Sequence, residues 1–221
     1  MKLRLSSKRN AAMTLMDVGV VVAIVIILAA VLLSVLSQNH RAPRMSNRID
    51  CMNRLRQIGL AYHVWESDNR DTYPMGISVT NGGSMEMLAR GNVVQTYLVM
   101  SNEMSTPKIL VCPADSSRTA AASFSGLANS NVSYFIGVDV TNDTNPNRIL
   151  SGDDNFEVGG VPVNAGLQAF GARDPITWTT ARHINVGNIG MTDGSVENLG
   201  DSRLMIRLGM TGFATNRFAI P

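Results

Sequence analysis

Residues 11–36 read AAMTLMDVGVVVAIVIILAAVLLSVL, and this stretch decides how the rest of the chain is interpreted. From Val18 to Leu36 there is no charged residue, and nearly all side chains are Val, Ile, Leu or Ala. As a helix with a rise of 1.5 Å per residue these residues would extend roughly 28 Å, close to a hydrocarbon core of about 30 Å. The stretch therefore predicts a membrane-spanning helix, with a buried core helix as the alternative. Asp17, the one carboxylate in residues 11–36, directly precedes this uncharged run.

The charges on either side of this run predict its orientation. Residues 1–12 contain no acid and four cations, namely Lys2, Arg4, Lys8 and Arg9, whereas three cations, Arg41, Arg44 and Arg48, follow the run. Because the more positive flank tends to stay in the cytoplasm and the N-terminal cluster is larger and closer to the run, we expect a cytoplasmic N-terminus in the inner membrane and an exported C-terminal domain. A cleavable signal peptide is the alternative, but its apolar region would be only about 7–15 residues long.

The charge of the remaining chain argues against nucleic acid as a partner. The net charge of the whole sequence is +2, and it becomes −2 when the four leader cations are set aside. A surface that binds nucleic acid needs clustered Lys and Arg to neutralise phosphates, and the nearly neutral body has no such cluster. We expect no nucleic-acid binding.

Beyond the apolar run, the hydrophobic pattern changes to a single stripe. Its members recur every three or four residues and are Met45, Ile49, Met52, Leu55, Ile58, Tyr62 and Trp65. This period predicts an amphipathic helix, with Pro43 as the site of a kink and SDNRDTYP (67–74) as the end. We therefore expect one long helix over about residues 14–67, whose second half lays its apolar face on a domain.

After Pro74, short segments broken by Gly, Asn, Ser and Pro predict an antiparallel sheet with long loops. Strands are predicted for KILVCP (108–113) and NVSYFIGVDV (131–140), and a hairpin for INVGNIGMTDGSVENL (184–199) with its turn at Asp193–Gly194. EMLARGNVVQTYLVM (86–100) predicts a short helix, and DSRLMIRLGM (201–210) a short helix or strand. The fold class is therefore α+β.

The chain has two cysteines, Cys51 and Cys112, and both fall in the part predicted to be exported. An even number of cysteines in an oxidising compartment predicts a disulfide, which would close a loop of about 60 residues. Two buried free thiols are the alternative. Without further Cys or His residues nearby in sequence, the pair is weak evidence for zinc.

With this order of segments in view, residues 12–36 resemble the type IV prepilin signal, written G-F-T-L-x-E before an apolar helix. Ala12 occupies the position of the cleavage glycine, Met13 that of the new N-terminus and Asp17 that of the glutamate, while the Thr-Leu between them matches outright. Three further segments are similar to planctomycete-type prepilin-like proteins with a His-x9-Asp-Gly motif, which are related to the major pseudopilins of type II secretion. They are CMNRLRQIGLAYHVWESDNRDTYP (51–74), LVCPAD (110–115) and ARHINVGNIGMTDGSV (181–196).

The resemblance implies a type IV pilin-like fold, in which a long N-terminal helix packs on a small antiparallel sheet. It implies cleavage between Ala12 and Met13 by a prepilin peptidase, N-methylation of Met13, and assembly in which Asp17 sets the register of neighbouring subunits. The implied partners are copies of this chain or related pilins, the inner-membrane assembly platform and the lipid bilayer. The alternative for Asp17 is an acid that snorkels to the headgroups.

The expected segments are a basic leader at 1–12, a transmembrane and assembly helix at 13–37, its amphipathic continuation at 38–69 and a β-rich exported domain at 70–221. The family motif falls on His183, Asp193 and Gly194, for which we expect structural roles: Asp193 in the turn and His183 bonded in the sheet.

Major pseudopilins hold Ca²⁺ in an acidic loop, and DVTNDTNPN (139–147) followed by GDDNFE (152–157) is rich in suitable oxygen ligands. The candidate ligands are Asp139, Asp143, Asp153 and Asp154, with solvated turns as the alternative. We expect no other cofactor.

The expected function is that of a non-enzymatic subunit of a pilus or a type II secretion pseudopilus. The alternative is an exported binding module, anchored by its signal segment, that does not polymerise. An exported enzyme is a third class, but no nucleophile–base pair or multi-ligand constellation in the sequence supports it.

Overall fold

The structure is a computed structural model that describes residues 15–38 and 42–221. The chain divides into two compact units, Met1–Pro43 and Arg44–Pro221. The basic leader, with Ala12 and Met13, lies outside the described residues. The predicted segment boundaries therefore stay predictions at the N-terminal end.

The first unit contains helix α1, Leu15–Gln38. Its window Met16–Leu33 has a mean hydropathy of 3.0 and none of it is buried, so the helix is long and apolar enough to cross a membrane. Asp17 lies in the first turn, where a negative charge is favoured by the positive end of the helix dipole.

Helix α2, Ala42–Asp68, carries the predicted amphipathic segment. The helical prediction over 14–67 is thus confirmed for α1 and α2, while residues 39–41 lie outside the described part. Pro43 falls in the first turn of α2, where its missing N–H leaves no intrahelical bond unmade. Arg70 and Asp71 then adopt left-handed φ angles of 59° and 55°, which take the chain out of the helix.

The apolar stripe of α2 is confirmed only in its second half. The buried face consists of Cys51, Leu55, Ile58, Tyr62 and Trp65. The prediction for Ile49 is wrong, because its side chain is 51% exposed. A step of three residues displaces a position by about 60° around a helix. Ile49 is two such steps from Leu55 and therefore lies about 120° away, whereas Cys51 is one step of four residues away and stays on the buried face.

Among residues 42–221, two antiparallel sheets form the β-rich part. Their strands are β1 Tyr134–Gly137, β2 Ile149–Asp153, β3 Phe156–Val158, β4 Val161–Pro162, β5 Gly166–Gly171, β6 Ile176–Trp178, β7 Val186–Met191, β8 Val196–Gly200 and β9 Thr215–Ile220. The larger sheet has the order β5-β9-β1-β2-β7-β8 and the smaller the order β4-β3-β6. The remaining α-helices are α3 Met85–Leu88, α4 Val94–Val99 and α5 Asp201–Met210. These elements confirm the α+β class.

The predicted hairpin is confirmed as β7 and β8, with Gly194 at a φ of 80° and the Asp193 carboxylate accepting a hydrogen bond from the Ser195 amide at 2.9 Å. The strand predicted at 108–113 is wrong. A 3₁₀ helix occupies Pro107–Leu110, because Pro107 supplies a helical φ at its first position and the Thr106 hydroxyl caps it through the Lys108 amide.

The central strands β1 and β2 of the larger sheet are buried on both faces. Along β1, Tyr134 and Ile136 point into the core that contains the buried face of α2, whereas Phe135 points into a second core on the other side. This follows from the two-residue period of a strand. The second core holds an aromatic group with Phe156, Trp178 and Phe218, and it is covered by the buried leucines of α5.

Candidate metal centre

A compact cluster of four potential metal ligands lies between α2 and the sheet. Cys51, Cys112, Asp153 and His183 each present one ligand atom, and these atoms all lie within 4.8 Å of one another. None of the four residues is more than 3% exposed. They come from four segments far apart in sequence, so only the folded chain assembles them.

Helix α2 and strands β1 and β2 position two members of the cluster. Cys51 lies on the buried face of α2, and its thiol donates to Asp153 Oδ1 at 3.1 Å. Asp153 ends β2 and is the antiparallel partner of Tyr134, so the two side chains lie on the same face of the sheet. The Tyr134 hydroxyl is 3.3 Å from Cys51 Sγ and completes this corner.

Cys112 reaches the cluster because α2 and β1 hold the segment before it. Arg54 of α2 donates to the carbonyl of Lys108 at 2.7 Å and to that of Val111, and the Ser133 amide donates to the carbonyl of Leu110 at 2.8 Å. The predicted disulfide is wrong: Cys51 and Cys112 are both free and buried. Their sulfurs instead contact a carboxylate and an imidazole.

His183 is placed by an unusual backbone just before β7. Its Nε2 is 3.3 Å from Cys112 Sγ and 3.6 Å from Asp153 Oδ2, and Arg48 of α2 donates to its carbonyl at 3.3 Å. The two residues that follow, Ile184 and Asn185, both have a φ of 57°. A β-branched residue in the left-handed region is strained, and such strain often accompanies functional positions. The strained pair turns the chain so that His183 faces inward.

A second layer of hydrogen bonds fixes the Asp153 carboxylate. Asn188 of β7 donates to Asp153 Oδ2 through its backbone amide and through its side-chain nitrogen, both at 2.8 Å. The side chain of Asn198 in turn donates to Asn188 Oδ1 at 2.8 Å. These bonds occupy Oδ2 and leave Oδ1 directed toward Cys51.

A buried ionic network adjoins the cluster. Arg182 pairs with Asp115 at 2.8 Å and with Asp154, and it lies 4.0 Å from Asp153 Oδ1. Arg118 also pairs with Asp154, at 2.5 Å. Burial by itself would lower the pKa of Arg182, but the surrounding carboxylates raise it, so this guanidinium is a permanent positive charge beside the site.

The electrostatics separate the two thiols. Burial, with the neighbouring Cys112 and Asp153, raises the pKa of Cys51, whereas the contacts with Cys51 and His183 lower the pKa of Cys112 to about 6. Burial alone would lower the pKa of His183, but Cys112 and Asp153 raise it. The cluster therefore favours a thiolate at Cys112, which is the form that binds metals. Because solvent is excluded from all four residues, the arrangement suits a structural role better than catalysis.

The four aspartates predicted to bind Ca²⁺ are distributed over separate interactions. Asp139 pairs with Arg217, Asp154 joins the Arg182 network, and Asp153 belongs to the cysteine cluster. Asp143 instead lies with His63 and Glu66 in a second group of potential ligands, of which only Glu66 is buried. The four thus have no common ligand set.

The His-x9-Asp-Gly motif divides into two structural roles. Asp193 lies in the hairpin turn as predicted. The His183 side chain instead contacts Cys112 in the metal-ligand cluster, so the prediction that it is bonded in the sheet is wrong. The two residues flank opposite ends of β7, whose six residues extend about 17–20 Å, so they do not form a pair.

No protein family, curated protein sequence or solved structure matches the chain.

The sequence points to all four members of the cluster individually but does not bring them together. It predicts a disulfide for Cys51 and Cys112, a bond in the sheet for His183 and a calcium site for Asp153. Metal sites can be read from sequence when ligands recur at short spacing, as in C-x2-C pairs, and this cluster has no such spacing. Arg182, directly before His183, was also missed; a buried cation beside a candidate ligand carries no sequence signal.

Proposed function

We propose that the chain is a prepilin-like structural subunit that is cleaved after Ala12, N-methylated on Met13 and assembled through α1 into a pilus or a type II secretion pseudopilus. It is not an enzyme, and it assembles with other copies of itself or with related pilins. The prepilin peptidase and an inner-membrane assembly platform are its processing and assembly partners. The β-rich domain is exported, and nucleic acid is not a partner.

The observation that carries this proposal is the exposure of α1. Large apolar side chains from Met16 to Leu33 are exposed on all sides of this helix, and the window is 0% buried. A helix that is apolar all round needs an apolar environment, which a bilayer or a bundle of identical helices provides. A prepilin helix occupies both in turn, first in the membrane and then in the filament.

The position of Asp17 supports the assembly step. Cleavage after Ala12 would create an ammonium at Met13, four residues before Asp17 in sequence and able to approach the Asp17 carboxylate of a neighbouring subunit. Two opposite charges about 4 Å apart attract by about 4 kcal/mol at an effective dielectric constant of 20. Charges in a lipid or helix-bundle environment are costly unless compensated, so this pair would set the axial register between subunits.

The flanking charges support the orientation. The cationic leader would hold the N-terminus in the cytoplasm, which places Arg44–Pro221 on the other side of the inner membrane.

The first test is the mass of the N-terminal peptide of the protein purified from its native membrane. We expect N-methylated Met13 as the first residue. A protein that still begins at Met1 would contradict processing, and a cut near residue 37 would identify an ordinary signal peptide and favour the non-polymerising alternative.

The second test compares variants at Asp17. Asp17→Ala should insert into the membrane normally but yield few or no filaments, whereas Asp17→Glu, which restores the residue of the resembled family, should assemble. Asp50→Ala, which removes an exposed carboxylate from α2, is the matched control and should assemble normally. Normal filament yield from Asp17→Ala would disprove the role in register.

A further inference from the structure

We infer that Cys51, Cys112, Asp153 and His183 bind one structural Zn²⁺ ion. This inference goes beyond the proposed assembly function, which requires no metal, and it stands on the geometry of the second unit alone.

The distances within the cluster agree with a tetrahedral site. With Zn–S bonds of about 2.3 Å and Zn–N or Zn–O bonds of about 2.0–2.2 Å, a tetrahedron has edges of about 3.4–3.8 Å between ligand atoms. The observed edges are 3.1 Å from Cys51 Sγ to Asp153 Oδ1 and 3.3 Å from Cys112 Sγ to His183 Nε2. The His183 imidazole also lies 3.6 Å from the other carboxylate oxygen, Asp153 Oδ2, which Asn188 binds. The two edges are a few tenths of an ångström shorter than the tetrahedral values, so a small expansion along them would admit the ion.

The ligand types select zinc among common metals. Two sulfurs, one imidazole nitrogen and one carboxylate oxygen form a soft to borderline set in tetrahedral number, which suits Zn²⁺. Ca²⁺ and Mg²⁺ prefer six or more oxygen ligands, and the cluster offers one carboxylate. The cysteines are too few for an iron–sulfur cluster with four thiolate ligands.

Neighbouring side chains already hold two of the four ligands in place. Asn188 anchors Asp153 through two hydrogen bonds, and Tyr134 approaches Cys51, so two ligands are already oriented. Two thiolates and a carboxylate exceed the charge of Zn²⁺ by one. The Arg182 guanidinium, which pairs with Asp115 and Asp154, also lies 4.0 Å from Asp153 and places a positive charge beside the site. The site is closed to solvent, as structural zinc sites are.

Such an ion would cross-link the four segments of the second unit. It would tie α2, through Cys51, to the end of β2, to the Cys112 segment and to the loop before β7. The strained Ile184–Asn185 turn would be retained because it directs His183 to the metal.

The first test measures metal content in the full-length chain, purified in detergent without chelators and without a metal-affinity step. We expect one equivalent of zinc per chain in the wild type and less than about a tenth of that in Cys112→Ser and His183→Gln. His63→Gln, which alters the other group of candidate ligands, is the matched control and should retain the full equivalent. Zinc lost from His63→Gln but kept by His183→Gln would overturn the assignment.

The second test does not depend on any variant folding. Replacing the ion with Co²⁺ in the wild type should give sulfur-to-cobalt charge-transfer absorption, and X-ray absorption at the zinc edge should count two sulfur and two nitrogen or oxygen neighbours. A shell of nitrogen and oxygen only would overturn the proposal. So would a metal-free chain, whether its two thiols react freely after denaturation or are joined in a disulfide.

The third test is thermal stability. Free Zn²⁺ at about 100 times the Kd of the site should raise the Tm of the chelator-treated protein by about 5–10 °C. A ligand that binds only the folded state adds about 2.7 kcal/mol at that concentration, and each kcal/mol raises the Tm of a domain of this size by about 2–4 °C. The same addition to Cys112→Ser should leave its Tm unchanged. An equal rise in wild type and variant would contradict the site.

Discussion

Helices α1 and α2 have similar lengths but differ in which of their side chains are exposed. Ile26 in α1 and Leu60 in α2 are both 63% exposed, yet Leu60 lies on the outer face of an amphipathic helix and Ile26 belongs to a helix exposed on every side. Helix formation is common to both. The distribution of apolar residues around each helix decides whether its partner is a folded domain or an apolar environment.

The comparison shows where each helix obtains its stability. In α2, the packing of one face against the sheet supplies it, so the buried positions tolerate little change. In α1, the apolar surface as a whole matters and no single side chain is irreplaceable, but a charge at any central position is costly.

The largest expected effect separates the two faces of α2. Ile58→Ala removes a fully buried side chain and should lower the free energy of unfolding by about 2–5 kcal/mol through lost burial and a residual cavity. Leu60→Ala, two residues away on the exposed face, should change it by less than about 0.5 kcal/mol. Chemical denaturation of both variants measures this difference, and equal losses would contradict the packing of α2.

The next effect separates α1 from α2 at matched exposure. Ile26→Lys places a charge in the middle of α1 and should oppose membrane insertion by about 2.5–3.5 kcal/mol, whereas Leu60→Lys should not affect it. The fraction of each variant that resists alkaline extraction from membranes is the measurement. Full retention of Ile26→Lys would argue that α1 does not span the bilayer.

A smaller effect tests the backbone strain in the loop before β7. Ile184→Gly should raise the free energy of unfolding by about 0.5–1 kcal/mol, since it relieves about 1–2 kcal/mol of left-handed strain and adds back the flexibility of glycine. Asn185→Gly is the control and should gain less, because Asn tolerates this region. Thermal unfolding measures both, and a loss in Ile184→Gly would show that its half-exposed side chain contributes packing.

A final effect concerns the pH dependence of stability, and it comes from Asp115 in the second unit. Burial would raise the pKa of Asp115, but Arg182 and hydrogen bonds from Ser117 and Ser133 lower it below its ordinary value. Its stabilising contribution is therefore complete above a pH of about 4 and is lost as the pH falls toward the folded-state pKa.

Asp115→Asn should remove this part of the acid sensitivity, at most about 1.4 kcal/mol per pH unit. Denaturation at a series of pH values measures the slope for the wild type and the variant. Identical slopes would mean that Asp115 is not ionised against Arg182 in the folded protein.

Local patterns predicted much of the fold. The apolar run predicted α1, the stripe from Leu55 to Trp65 predicted the packing of α2, and Asp193–Gly194 predicted the β7–β8 turn. The errors came where local patterns are ambiguous. The spacing that includes Ile49 drifts around the helix. KILVCP has strand-like residues, but Pro107 and the Thr106 cap directly before it favour a 3₁₀ helix.

The two helices and their different surfaces can be predicted from the sequence alone, because helical periodicity is a property of neighbouring residues. The proximity of Cys51, Cys112, Asp153 and His183 cannot, because it depends on how α2 packs beside β1 and β2. A pair of cysteines looks the same in sequence whether it forms a disulfide or lies beside a histidine and an aspartate. The distances between their side chains are set by the packing of segments that are distant in the chain.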